Sequence, residues 1–140
     1  LSKKRDEIGL VAMVDTLEYL KKGGRISGAA AFAGGVLGIK PVVTCRNGEL
    51  AVLGKARGSK KANNLLVEQI SKDGVDFSKP LLLGYTGLSD DMLYQYIQDS
   101  QCLWKGHVAD LDCVQLSSVI GTHAGPGAVA VAYFKSSAVQ

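Results

Sequence analysis

The sequence predicts an α+β fold: a mixed, largely antiparallel sheet with helices packed on it. Three observations carry that expectation. Apolar runs of strand length recur along the whole chain. Asn47-Gly48 separates two of them, and this dipeptide favours a two-residue hairpin because both positions tolerate positive φ. Segments with apolar residues at helical spacing lie between the later strands, so helices return across the sheet. A central hairpin is rare in parallel doubly wound sheets, which directs the reading to a mixed one.

The elements follow in order. Residues 8–14, IGLVAMV, read as a buried strand, and Asp15 or Thr16 can cap the helix after it. Leu17 and Leu20 give that helix its apolar side, Lys21 and Lys22 suit its last turn, and Gly23-Gly24 ends it. Residues 28–37, GAAAFAGGVL, form a small-residue segment that fits a closely packed helix. Residues 39–45 and 49–56 are the two strands of the hairpin, with Pro41 near the start of the first, where a missing donor is tolerated. Ala62, Leu65, Leu66, Gln69 and Ile70 stripe a helix over 59–72, closed by Asp73-Gly74. A strand follows at 80–86. A helix within 87–101 has Met92, Leu93, Tyr96 and Ile97 inward, with Ser89 as a candidate cap. Residues 108–114 and 128–134 complete the strands, and helices are expected on one face of the sheet.

A chain of 140 residues with 46% hydrophobic and 21% charged residues is ordinary for one globular domain, taken here as 1–140. The three cysteines, Cys45, Cys102 and Cys113, are odd in number and have no short spacing. They predict a reducing, cytoplasmic setting rather than a disulfide framework. No charge-free segment reaches membrane-spanning length and no secretory signal is visible, so no integral membrane contact is expected. The start at Leu1, where a charged run leads straight into an apolar segment, predicts a piece of a longer chain. The net charge of +3 is modest, but Lys55, Arg57, Lys60 and Lys61 cluster near Arg46. Such a face is either simply solvated or meets an acidic partner or anionic headgroup.

Two glycine-rich islands carry the chemistry. The first is Gly23-Gly24-Arg25-Ile26-Ser27, and the second is Gly121-Thr122-His123-Ala124-Gly125-Pro126-Gly127. Arg25 offers a fork of donors suited to carboxylate or phosphate, or lies on the surface after a helix end. Ser27 adds a hydroxyl donor or caps the next helix. His123, with Thr122 beside it and the permissive backbone of Gly121 and Gly125 around it, belongs to an anion-binding concavity or to a tight reversal between strands. His107 reads as structural or surface. Metal binding fits poorly, since the two histidines and three cysteines share no short ligand spacing, and no cofactor is expected. GTHAGPG lacks the residues of a phosphate loop, and GKARGSKK alone is a weak nucleic-acid patch, so no nucleic acid is expected. An enzyme with His123 as base, oriented by Asp15, Asp110 or Asp112, remains the alternative, as does an interaction domain without ligand.

Together, VDTLEYLKKGGRIS at 14–27, GIKPVVTCRNGEL at 38–50 with KARGSKKA at 55–62, and VIGTHAGPGAVAVAYF at 119–134 resemble the DegV family of bacterial fatty-acid-binding proteins, of the EDD fold. The resemblance covers only the C-terminal of that family's two domains and implies an N-terminal α/β domain before Leu1. It implies a long-chain fatty acid in a buried tunnel. The carboxylate would be held by hydroxyl residues of the N-terminal domain, with Arg25 and His123 nearby. Ala124 stands where the family more often has threonine, which removes one possible hydroxyl. The resemblance further implies a carrier that presents the acid to a separate fatty-acid kinase, which docks on basic surface residues. Physically, each buried methylene contributes about 0.8 kcal/mol, so the tail dominates affinity and the polar groups orient it. The small residues at 29–31 and 33–35, with Phe32, leave room for a chain or else pack tightly.

Overall fold

The computed structural model describes residues 6–24 and 38–136. Arg25, Ser27 and the segment expected as a helix at 28–37 lie outside the described residues. Strand β1, Ile8–Met13, alternates: Gly9, Val11 and Met13 are buried, while Ile8, Leu10 and Ala12 turn to the opposite face. Helix α1, Glu18–Lys22, begins where the Glu18 N–H donates to Thr16 Oγ1 at 3.2 Å. Thr16 therefore serves the helix start, and Asp15 pairs instead with Lys40. The Gly23 N–H closes the helix onto the Tyr19 carbonyl at 3.0 Å, and Gly24 leaves it with φ 67°.

Strands β2, Ile39–Arg46, and β3, Glu49–Arg57, form the hairpin foreseen from Asn47-Gly48. Asn47 has φ 53° and Gly48 φ 80°, the paired positive values that such a turn demands. Helix α2, Ser59–Asp73, lays Ala62, Leu66 and Ile70 on the sheet. Asn63 is buried with them, donating from Nδ2 to Asp99 at 2.9 Å. Strand β4 is Leu82–Tyr85. The helix expected within 87–101 is two pieces, α3, Asp91–Asp99, and α4, Gln101–Trp104. Ser100 divides them: its hydroxyl donates to the Tyr96 carbonyl at 2.7 Å and accepts from the Trp104 indole at 2.9 Å.

Two elements differ from expectation in kind or extent. The strand foreseen over 108–114 is confined to β5, Cys113–Gln115. It pairs only with β4, which is itself four residues long and offers it three partners, Leu83, Gly84 and Tyr85. The second glycine island, expected as a loop between strands, opens as helix α5, Ser118–Ala124. Ser117 caps it by accepting from the Ile120 N–H at 3.5 Å, and Gly125, at φ 79°, ends it. Strand β6 is Val129–Phe134.

The sheet has six strands in the order β3-β2-β1-β6-β4-β5. Only β4 and β5 are parallel. Helices cover both faces rather than one. Under α2, α3 and α4 lies the larger core, where Val11, Met13, Leu66, Ile70, Tyr96 and Tyr133 are all buried. On the other face α1 and α5 cover one end of the sheet, and Leu17 and Leu20 pack there with Val14, Val43 and Ala128.

Candidate functional site

The two glycine islands meet where α1 lies against α5. A Cβ on Gly23 would stand 2.5 Å from His123 Nδ1. The imidazole therefore rests directly on the glycine backbone, and only glycine admits it there. One turn away the relation is reversed. A Cβ on Gly125 would stand 2.5 Å from Tyr19 Cδ2, so the ring of α1 sits on the glycine that ends α5. Each island supplies a gap that a ring fills: Gly23 admits His123 of the other island, and Gly125 admits Tyr19 of α1. Arg25 follows Gly24 directly in the chain.

His123 is half-buried, and among the described residues no side chain hydrogen-bonds its imidazole. Thr122 is exposed and its hydroxyl donates to the Ser118 carbonyl at 2.8 Å, so the proton points into its own helix. The backbone N–H groups of Gly121 and Gly125 are also engaged inside α5, to Ser117 at 2.9 Å and to Gly121 at 2.8 Å. Among the described residues nothing lies within 4 Å of a Cβ placed on Gly121, so none of them closes the helix backbone on that side.

Sequence reasoning missed Thr86. It is buried at the end of β4, where its hydroxyl donates to the Gly125 carbonyl at 2.5 Å and accepts from the Ala128 N–H at 2.9 Å. Its own carbonyl receives the Gly127 N–H at 3.2 Å. This threonine thus fixes the Gly-Pro-Gly turn behind His123. The available signal was a hydroxyl residue at a strand end followed by Gly87, whose φ of 94° brings it against Pro126 and Gly127.

Beyond this junction the sheet face stays apolar, and small side chains line its middle between larger ones. Ala12 stands opposite Ala130 on β6 and Val43 on β2, and Leu10 stands opposite Ala132. Ala12, Ala130 and Ala132 are only partly buried, and Ile8 and Leu82 are exposed at the far end. Leu88, Val119 and Ile120 are exposed as well. Arg57, Lys60 and Lys61 lie exposed where β3 leads into α2.

The groups whose ionisation is displaced lie elsewhere. Burial pushes the phenols of Tyr96 and Tyr133 up, with the hydrogen bond to Asp73 adding to the effect at Tyr133. The hydrogen bond and charge of Lys22 hold Glu18 below the usual carboxylate range. Among the described residues no three His, Cys, Asp or Glu side chains gather as metal ligands, and no helix is long and apolar enough to cross a membrane. His107 is exposed and stacks on Phe77, with centroids 4.4 Å apart and planes 5° from parallel.

Comparison with known proteins gives these features a context. The family model described as "Uncharacterised protein, DegV family" matches residues 1–136. A DegV domain-containing protein of Lactococcus lactis is 40% identical over 121 residues, which cover 85% of this chain and 40% of that protein. Among solved structures, a DegV family protein of Thermus thermophilus, described for its fatty-acid binding, superposes with a TM-score of 0.75 at 31% identity, covering 96% of this chain and 48% of that one. A fatty-acid-binding DegV family protein of Streptococcus agalactiae gives a TM-score of 0.73 at 27% identity, covering 96% and 47%. The chain thus spans somewhat less than half the length of these relatives.

Proposed function

This chain belongs to the DegV family, and we propose that it binds a long-chain fatty acid. The carboxylate lies at the junction of the two glycine islands and the acyl tail along the small-residue face of the sheet. The observation that carries the reading is the contact of Gly23 with His123 at one end of that face. The junction brings the histidine against the segment that continues into Arg25, and a guanidinium with an imidazole suits one carboxylate. The partly buried Ala12, Ala130 and Ala132 leave the room beside the sheet that a chain of methylenes needs. The fatty-acid binding of the Thermus thermophilus and Streptococcus agalactiae proteins supports the ligand class.

Within this reading Arg25 and His123 orient the carboxylate, and Ser27 and Thr122 border it. Thr122 must turn its hydroxyl from Ser118 to donate. Gly121 and Gly125 act by allowing close approach, since their amides already serve α5. The rest of the headgroup site belongs to an N-terminal domain of the full-length protein, in keeping with the share of the relatives that this chain spans. The loaded protein then presents its acid to a fatty-acid kinase in the cytoplasm, docking through exposed basic residues among Arg46, Arg57, Lys60 and Lys61. An enzyme with His123 as base has less support, because among the described residues no hydroxyl or thiol hydrogen-bonds the imidazole.

Mass spectrometry of lipids extracted from the purified protein tests the proposal. A fatty acid is expected, and His123→Gln should weaken binding by about tenfold, the loss of one hydrogen bond to a charged group. A protein that carries no acid, and binds none when it is added, overturns the reading.

A further inference from the structure

Helix α1 is five residues long, well short of the roughly twelve that an isolated helix needs in water. Contacts of its side chains therefore decide where it lies. Leu17 and Leu20 anchor one side of the segment in the smaller core. Tyr19 turns elsewhere. Its ring is 41% exposed and rests on Gly125, with Cγ, Cδ2 and Cε2 all within 3.1 Å of the place a Cβ would take. Gly125 ends α5, and Thr86 already holds its carbonyl from the sheet side.

These contacts close a circuit. The Gly23 N–H donates to the Tyr19 carbonyl at 3.0 Å, and Gly23 carries the His123 imidazole. His123 stands two residues before Gly125, which carries the Tyr19 ring. We infer that Tyr19 is a positioning residue: its ring, packed on Gly125, holds α5 against α1 and so aims the His123 imidazole. The inference takes its ligand from the fatty-acid reading above and adds to it the device that fixes the histidine. The ring does this rather than the hydroxyl, since among the described residues nothing hydrogen-bonds the phenol. Without the ring, α1 is held by Leu17 and Leu20 alone and can pivot on them, and the imidazole parts from Gly23. A donor displaced by about 1 Å leaves the range of about 2.7–3.2 Å in which it can bond a carboxylate.

Within the circuit Tyr19 alone can be changed without adding a Cβ to a glycine or removing the histidine. The protein has two histidines, and His107, stacked on Phe77 beside the larger core, serves as the control. In proton NMR without acid, the His123 ring should show a nuclear Overhauser contact with the Gly23 α-protons. Tyr19→Ala should abolish it and leave the contact of His107 with Phe77. Affinity for hexadecanoic acid, measured by native mass spectrometry, should fall about tenfold in Tyr19→Ala, as in His123→Gln. Combining the two should cost no more than either alone, because one acts through the other. Tyr19→Phe, which keeps the ring, should restore both contact and affinity. A His123 contact that survives Tyr19→Ala overturns the inference. So do losses that multiply to about a hundredfold in the double variant, since Tyr19 then acts independently of His123. A Tyr19→Phe that binds as poorly as Tyr19→Ala also overturns it and assigns the work to the hydroxyl. If even the unaltered protein binds no acid, the fatty-acid reading falls and the NMR contacts alone decide the positioning. Should Tyr19→Ala lose the His107 contact and so fail to fold, Tyr19→Leu takes its place with the same expectations.

Discussion

Val11 and Ala12 are neighbours in one strand and face two different environments. On the Val11 side α2 and α3 press onto the sheet, and Met13, Leu66, Ile70, Leu93, Tyr96 and Tyr133 are buried to within 1% of full exclusion from water. On the Ala12 side alanines line the middle of the sheet, among the described residues only α1 and α5 cover one end, and Ile8 and Leu82 remain exposed. Large interlocked side chains give stability because every gap between them costs contact energy. Small side chains on a partly covered face give up that stability and keep space. The difference separates the two faces: one holds the fold, and the other, in the proposed reading, takes the acyl chain.

Substitutions on the two faces sharpen or break this contrast. Leu66→Ala should have the largest effect, a loss of about 2–5 kcal/mol, because it opens a cavity in the packed core. Urea unfolding measures it, and a loss below about 1 kcal/mol would show that this face is not tightly packed. Gly125→Ala should cost roughly 1–3 kcal/mol, from a Cβ driven into the Tyr19 ring at a φ of 79°. The same variant should weaken acid binding, since α1 and α5 part where His123 meets Gly23.

Alkaline pH tests the packed face from another side. Tyr133 and Tyr96 titrate higher in the folded chain than in the unfolded one. The stability this represents is complete below the unfolded phenol value of about 10 and is lost as pH rises beyond it. Stability measured against pH should therefore bend downward above about pH 10, and Tyr133→Phe should flatten the bend while leaving the neutral region nearly level. An unchanged bend would place the titration elsewhere. The smallest effect on stability is expected from Ala132→Leu, within about 1 kcal/mol because the open face has room for the added carbons. Its affinity for hexadecanoic acid should nevertheless drop by tenfold or more. A large loss of stability in that variant would mean that the Ala12 face is packed after all.

Much of the architecture was legible in local chemistry. Asn47-Gly48 announces its turn because few other dipeptides tolerate two successive positive φ values, and the structure has both. The stripe of Ala62, Leu66 and Ile70 announces a helix because its spacing matches the helical turn. What escaped depends on partners distant in sequence. Asn63 reads as a surface residue until Asp99 is brought to it. Residues 108–111 read as the start of strand β5, but β4 begins at Leu82 and gives them no partner. The glycines of GTHAGPG mask a helix that Ser117 caps. That Gly23 and His123 touch could not be read from either island alone, since each glycine is explained locally as a helix end and only the packing of α1 on α5 joins them.

Strand β6 has a consequence for how the molecule comes into being. It is the last strand in the sequence, yet it lies between β1 and β4. The β3-β2-β1 group and the β4-β5 pair are joined in the sheet only through it. During synthesis both groups must wait with an unpaired edge until residues 129–134 leave the ribosome, and the contacts that close the sheet are among the most distant in sequence. A pause or truncation just before Val129 would leave two open edges in one chain, the state most exposed to mispairing with another copy.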